Sequence, residues 1–294
     1  MTETNDFPAP FDLFTPAARR APVLFNSPHS GSIYPKSFLA TSRLDPLTLR
    51  RSEDTFVDGL FVGAVEKGAS FMRAHFPRAY LDVNREPYEL DPRMFDGRLP
   101  PYANTRSLRV AGGLGTIARL VGENQEIYRS RLPVAAALER IENLYKPYHQ
   151  ALTNALIDIH QAHGAAVLID CHSMPSNSQR RPEKFRADIV LGDRYGTSCA
   201  PELTAFVAAA LTRLGYAVMH NRPYAGGYIT EHYGNPAMRF HALQIEINRG
   251  LYMDEATLTR NDGFDRLAAD LGQMIDELIT FPFDDLLPER AAAE

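Results

Sequence analysis

The chain has 294 residues, a formal charge of −5 and a pI near 6.0. That length buries a substantial core without covalent staples, and the charge gives no electrostatic footprint for nucleic acid. Two cysteines, Cys171 and Cys199, make neither a disulfide framework nor a C-x-x-C metal pair.

Taken from the N-terminus, Met1 to Pro10 lack a basic stretch followed by an apolar one, and no apolar run approaches the roughly 18 residues of a membrane span. A cytoplasmic protein without membrane or nucleic-acid partners is expected, acting on a small molecule; the sequence does not give its oligomeric state. Ala21 to Asn26 reads as a buried strand. Asp45 to Lys67 reads as a helix, with Asp45 as N-cap, Pro46 at the first helical position and Gly68 as the stop. Ala69 to Phe76 and Ala79 to Val83 read as two strands separated by Pro77. From Arg85 to Gly122 the periodicity is lost among Pro, Gly, Asp and Arg, the mark of a long functional loop.

Glu123 to His163 reads as a long helix bent near Pro133 and Pro147. Strands over Ala165 to Asp170 and Ala187 to Leu191 follow, then a helix over Pro201 to Leu214 and a strand over Ala217 to His220. His241 to Ile247 is the last strand and Phe264 to Ile279 the last helix. The alternation predicts one α/β domain over residues 1–294, with 1–20 and 288–294 peripheral. Its central sheet is mostly parallel or mixed, with helices on both faces.

Five polar segments interrupt this pattern: Pro28-His29-Ser30-Gly31, Glu53-Asp54, Asp82-Val83-Asn84-Arg85, Asp170-Cys171-His172-Ser173 and Gln244-Ile245-Glu246-Ile247-Asn248. His29, Asn84-Arg85, His172 and Glu246 fall at or near predicted strand ends, where open α/β sheets gather their ligands. Two imidazoles and a carboxylate can hold zinc with one position open, and a further glutamate can handle protons. Each residue also has a plainer reading. His29 suits a turn, Glu53 and Asp54 a solvated acidic pair, Glu246 an edge strand, and Arg85 an ion pair with Asp82 or Glu86.

Period-2 geometry puts Asp170 and His172 on one strand face, so Asp170 can back the imidazole, while Cys171 points the other way into packing. Arg85 offers a planar fork for a carboxylate, with Asn84 beside it. Asn221 to His232 sets a Gly-Gly pair between aromatics, flanked by Arg222 and His232, and reads as a substrate lid or a hairpin. His160 and His163 face the end of the long helix and do not form a metal pair. His149 either lines the site or packs.

Assembled in order, SPHSG, the Asp54 segment, LDVNR, DCHS, AGGYITEHYG and LQIEINRGLYM resemble the N-formylglutamate amidohydrolase family from about Ser27 to Met253. That family is similar in fold to zinc carboxypeptidases, so the resemblance implies a zinc-exopeptidase-like architecture. Carboxypeptidases place their second ligand in H-x-x-E, whereas here Ser32 stands three residues after His29, and Asp54 is the match to the deformylase pattern. Glu53 remains the alternative. The expected function is zinc-dependent hydrolysis of N-formyl-L-glutamate, or a close N-acyl acidic amino acid, as in the final step of a histidine-degradation route. His29, Asp54 and His172 are the expected Zn2+ ligands and Glu246 the proton carrier. His232 is a candidate for the oxyanion, and Arg85, Asn84 and Arg222 are candidates for the substrate carboxylate. Two rivals stand beside this reading: a carboxypeptidase-like or different N-acyl amidohydrolase, and a metal-free binding protein for acidic metabolites.

Overall fold

The computed structural model describes residue 7 and residues 9–122, 125–176 and 187–286. By contact density these form two compact units, one comprising the N-terminal segment to Asp12, Pro28–Thr55 and Arg73–Leu152, the other Leu13–Ser27, Phe56–Met72 and the chain from Thr153. Among the described residues no helix is long and apolar enough to cross a membrane.

The second unit is built on a mixed sheet. Its strands are β1 (Phe11–Phe14), β2 (Val23–Ser27), β3 (Ser70–Ala74), β4 (Ala166–Met174), β5 (Ile189–Gly192), β6 (Val218–His220) and β7 (Phe240–Asn248), in the order β1-β3-β2-β4-β7-β5-β6. β2 and β7 flank β4 in parallel, while β5 runs antiparallel to β7 and carries β6 parallel to itself. The mixed α/β architecture expected from the alternation of elements is the one observed.

The odd-numbered residues of β2, β4 and β7 (Val23 and Phe25; Val167, Ile169 and Cys171; Leu243, Ile245 and Ile247) enter one continuous apolar core. Helices α1 (Val57–Phe61), α2 (Pro201–Arg213) and α4 (Phe264–Ile279) contribute to that core through Leu60, Leu203, Val207, Leu271 and Ile275. The even-numbered face is different: toward the strand ends it carries Asn26, Asp170, His172, Gln244 and Glu246, all buried. Successive side chains alternate between faces, so one set of strands packs the fold with one parity and builds polar chemistry with the other. Helix α3 (Tyr228–Tyr233) packs on β4 and β7, with Ile229 and Thr230 buried.

The first unit has its own aromatic core. Phe38 meets Tyr80 edge-on at 5.3 Å, Tyr80 stacks obliquely on Phe7 at 5.7 Å, and the Arg140 guanidinium lies 3.8 Å over the Tyr80 ring. Arg140 is buried, and its Nη1 donates to the Tyr80 carbonyl and the Tyr128 hydroxyl, which makes a buried cation tolerable.

Four elements differ from the sequence reading. The helix expected over Asp45 to Lys67 is two short pieces. Asp45 caps Pro46–Arg50 by accepting from the Thr48 N–H at 3.0 Å, as its type predicts, but the chain then turns, and Phe56 takes a left-handed φ of 67° before α1. Packing supports that unfavourable backbone: the Phe56 ring meets Phe264 edge-on at 6.2 Å, with Arg260 at 5.0 Å from its centroid. Glu53 and Asp54 therefore lie in a linker, outside any helix.

Ala79 to Val83 is not a strand. The Pro77 carbonyl accepts from Tyr80 and Leu81, and the run is apolar because it is buried in a turn. The long helix begins only at Val134, after Pro133, and Glu123 lies outside the described residues. Its expected bend near Pro147 is a π-turn over Ile141–Tyr145, in which Lys146 donates to the Ile141 carbonyl. Pro147 lacks an N–H and would press its ring on the preceding turn, which the wider turn relieves. Finally, β4 runs to Met174, so His172 sits inside the strand and not beyond its end.

Candidate metal centre

His29 follows β2 by two residues in a tight turn, and its position depends on Gly31. A Cβ at residue 31 would lie 2.1 Å from the Phe76 carbonyl oxygen, so only glycine fits there. The His29 ring is buried, with Nε2 2.7 Å from Asp82 Oδ1. A carboxylate only accepts, so in the neutral ring Nε2 carries the proton and Nδ1 the lone pair. Nδ1 faces Asp54 Oδ2 at 3.5 Å. Backbone bonds hold the two segments together: the Asp54 N–H donates to the His29 carbonyl at 3.0 Å, and Ser30 Oγ donates to the Asp54 carbonyl at 3.1 Å.

Asp82 has four partners. Besides His29, it accepts from the Asn84 N–H at 2.9 Å and Arg78 Nη2 at 2.8 Å, and it pairs with Arg85 Nη2 at 3.5 Å. Burial alone would raise its pKa, but the positive charges of Arg85 and Arg78 and the hydrogen bond from His29 outweigh it and hold the carboxyl well below the usual range. From sequence Asp82 reads only as an ion-pair partner for Arg85. Its spacing of two residues before Asn84 was the available signal, and the bond to His29 spans 53 residues, beyond any local rule.

Glu53 turns away from His29. Arg50 Nε donates to both of its oxygens at 3.2 Å and Thr55 Oγ1 to one at 3.1 Å, while burial pushes its pKa up. Of the two adjacent carboxylates, Asp54 is therefore the one aimed at the imidazole.

The second imidazole is built in the same way on β4. His172 Nε2 lies 2.8 Å from Asp170 Oδ2, and Asp170 Oδ1 accepts from Asn26 Nδ2 at 2.9 Å. The proton again sits on Nε2 and leaves Nδ1 as the ligand atom. Strand register supplies the neighbours: Asn26 and Gln244 are opposite Asp170, and Glu246 is opposite His172. Glu246 Oε1 accepts from Gln244 Nε2 at 2.9 Å, and Gln244 Oε1 accepts from the Gly227 N–H at 2.9 Å, at the start of α3. Cys171, on the other face, packs in the core with its thiol pushed well up by burial.

The remaining candidates are placed as follows. Asn84 is buried. Arg85 spends Nε on the Leu114 carbonyl and Nη1 on the Asn84 carbonyl, both at 2.7 Å, in addition to the Asp82 pair. The Gly-Gly pair is a turn that starts α3: Gly226 has φ +118° and Gly227 is the N-cap. His232 lies on α3, stacked on Tyr228 at 5.1 Å with its hydroxyl 3.3 Å from Nδ1, and partial burial lowers its pKa. Arg222 is exposed. His149 Nε2 donates to the Val83 carbonyl at 2.9 Å and packs on Tyr145, and His160 stacks on Phe240. Arg249, to which no sequence pattern gives a role, is buried and donates from Nε to Ser173 Oγ at 3.0 Å.

One ligand atom each from His29, Asp54 and His172, all buried, falls within 4.8 Å of the other two. Two imidazole nitrogens and a carboxylate oxygen, with both rings locked by carboxylates behind them, are a donor set suited to a divalent ion such as zinc.

The family model for N-formylglutamate amidohydrolase matches residues 21–253. The chain is similar to an N-formylglutamate deformylase of Pseudomonas aeruginosa, 27% identical over 239 residues that cover 80% of this chain and 84% of that protein. A Pseudomonas putida N-formylglutamate deformylase is 28% identical, with 80% of this chain and 83% of that protein covered. The crystal structure of an N-formylglutamate amidohydrolase from Ralstonia eutropha superposes with a TM-score of 0.86 at 39% identity, covering 92% of this chain and 97% of that one. The chain belongs to the N-formylglutamate amidohydrolase family.

Proposed function

We propose that the chain is a zinc-dependent amidohydrolase that converts N-formyl-L-glutamate to formate and L-glutamate. The observation that carries this reading is the pair of buried imidazoles, each with Nε2–H held by an aspartate and Nδ1 left as a ligand atom, in a chain of this family. His29, Asp54 and His172 would hold the ion, which when bound supplies Lewis acidity to the formyl carbonyl and to water.

In this reading Glu246 removes a proton from the attacking water and returns it to the glutamate nitrogen, since an unprotonated amide nitrogen is a poor leaving group. Gln244 fixes one of its oxygens and so orients the carboxylate. His232 donates to the developing oxyanion. Arg85, with Asn84 and Arg222, binds substrate carboxylate by charge-assisted hydrogen bonds. Because Arg85 already serves two backbone carbonyls and Asp82, it offers a pre-set edge and not a whole fork.

The test is formate release by wild type and Glu246→Gln. Loss of about a hundredfold or more in kcat with metal retained supports the assignment. A Glu246→Gln enzyme with full turnover and full metal content removes Glu246 from the mechanism. Release of a C-terminal residue from a peptide in place of formate would replace the substrate assignment by a carboxypeptidase-like one.

A further inference from the structure

Within the first unit lies a concavity of about 240 Å³ lined by Arg43, Arg93, Arg119, Arg129 and Arg131, with Glu126 as the only lining carboxylate among the described residues. In a chain of net charge −5, five guanidiniums around one hollow are a local reversal of sign. Two carboxylates serve them. Asp91 takes Arg93 as a fork, at 2.9 and 2.8 Å, and Arg119 Nε at 2.9 Å. Glu126 pairs with Arg43 Nη1 at 3.2 Å and Arg119 Nη1 at 3.4 Å. Among the described residues three positive charges are left over.

Main-chain carbonyls set the orientation of the guanidiniums. Arg43 Nε donates to the Tyr128 carbonyl at 2.9 Å, and Arg129 Nε donates to the Ser42 carbonyl at 2.7 Å. Arg129 thus keeps both Nη groups for another acceptor. Arg131 is exposed and makes no hydrogen bond or ion pair among the described residues. Like charges held together in this way repel unless an anion joins them, and planar forks match the oxygens of phosphate and carboxylate. The volume equals the liquid share of about eight waters, so the ligand is small.

We propose that this concavity is a binding site for a small polyanion whose charge is carried by phosphate or carboxylate groups. The experiment is calorimetric titration of the full-length, metal-loaded protein with inorganic pyrophosphate and, separately, with tricarballylate. Each is repeated on Arg131→Glu and on Arg129→Ser/Arg131→Ser. Arg131 is exposed and has no partner to lose among the described residues, so the first variant folds whatever the second does. Saturable 1:1 binding by either probe, weakened about tenfold or more in Arg131→Glu, supports the site. Binding of pyrophosphate alone assigns it to phosphate esters, of tricarballylate alone to polycarboxylates, and of both to the shared chemistry. Absence of binding by both probes overturns the proposal, as does binding that Arg131→Glu leaves unchanged, which would belong to another site such as the metal.

Discussion

Asp170→Asn is a change of one atom with a definite consequence. Asp170 accepts on both sides, from His172 Nε2 at 2.8 Å and from Asn26 Nδ2 at 2.9 Å. An asparagine there has one acceptor and one donor, so one of the two contacts becomes donor against donor. If the amide keeps Asn26, its NH2 faces His172 and drives the ring to the tautomer protonated on Nδ1. The lone pair then leaves the atom that would bind metal. If it keeps His172, its NH2 faces Asn26 Nδ2 and that bond is lost in a buried setting, at a cost of about 1–3 kcal/mol. Either way the loss of this supporting carboxylate should weaken zinc binding by about 10–100-fold. The double variant Asn26→Asp/Asp170→Asn restores complementarity by exchanging the two groups. The carboxylate moved to position 26 accepts from the amide NH2 moved to position 170, whose carbonyl still accepts from His172. It should recover most of the stability and part of the affinity. Competition with a chromophoric chelator measures the metal and thermal melts measure the stability. If Asp170→Asn binds zinc within twofold of wild type, the carboxylate does not set the ring's tautomer and the argument for His172 as a ligand loses its basis.

Further outcomes are expected at two other buried polar groups. Gln244→Met removes the bonds that Gln244 makes to Glu246 Oε1 and to the Gly227 N–H, costing about 1–3 kcal/mol of stability. Steady-state kinetics should show kcat falling more than KM rises; a change confined to KM would place Gln244 in substrate binding. His241 is buried, with Nδ1 accepting from the Ala200 N–H at 3.2 Å, and burial lowers its pKa to about 4. The unfolded chain therefore binds a proton below about pH 6.5 that the folded chain refuses until about pH 4. Stability should fall by up to about 3 kcal/mol as pH drops through that window. His241→Asn should flatten this step in melts at pH 7 and pH 4.5, and an unchanged slope would refute the assignment.

The parts of this fold legible in the sequence are those where one local rule acts alone. Asp45-Pro46 announced a helix start, and the cap is there. Phe264 to Ile279 had an amphipathic period and is helical over that span. HALQIEI alternated and is the centre of β7, with Gln244 and Glu246 on its polar face. The failures arose where tertiary packing overrode local preference. Phe56 is left-handed, with its ring packed on Phe264, and splits a helix that propensity would have continued. Ala79 to Val83 is apolar through burial of a turn and not through pairing. The pairing of His29 with Asp82 and of Asp170 with Asn26 joins residues 53 and 144 positions apart, and no periodicity carries that information. The choice of Asp54 over Glu53 likewise turned on which partner each found, His29 or Arg50.

The central claim is that His29, Asp54 and His172 hold a metal on which hydrolysis of N-formyl-L-glutamate depends. The most direct measurement is formate release by the purified chain before chelation, after chelation, and after zinc is returned. The account predicts about one zinc per chain, with activity lost on chelation and regained on readdition in wild type but not in His172→Ala. Formate release that persists undiminished in the chelated, metal-free protein would contradict it.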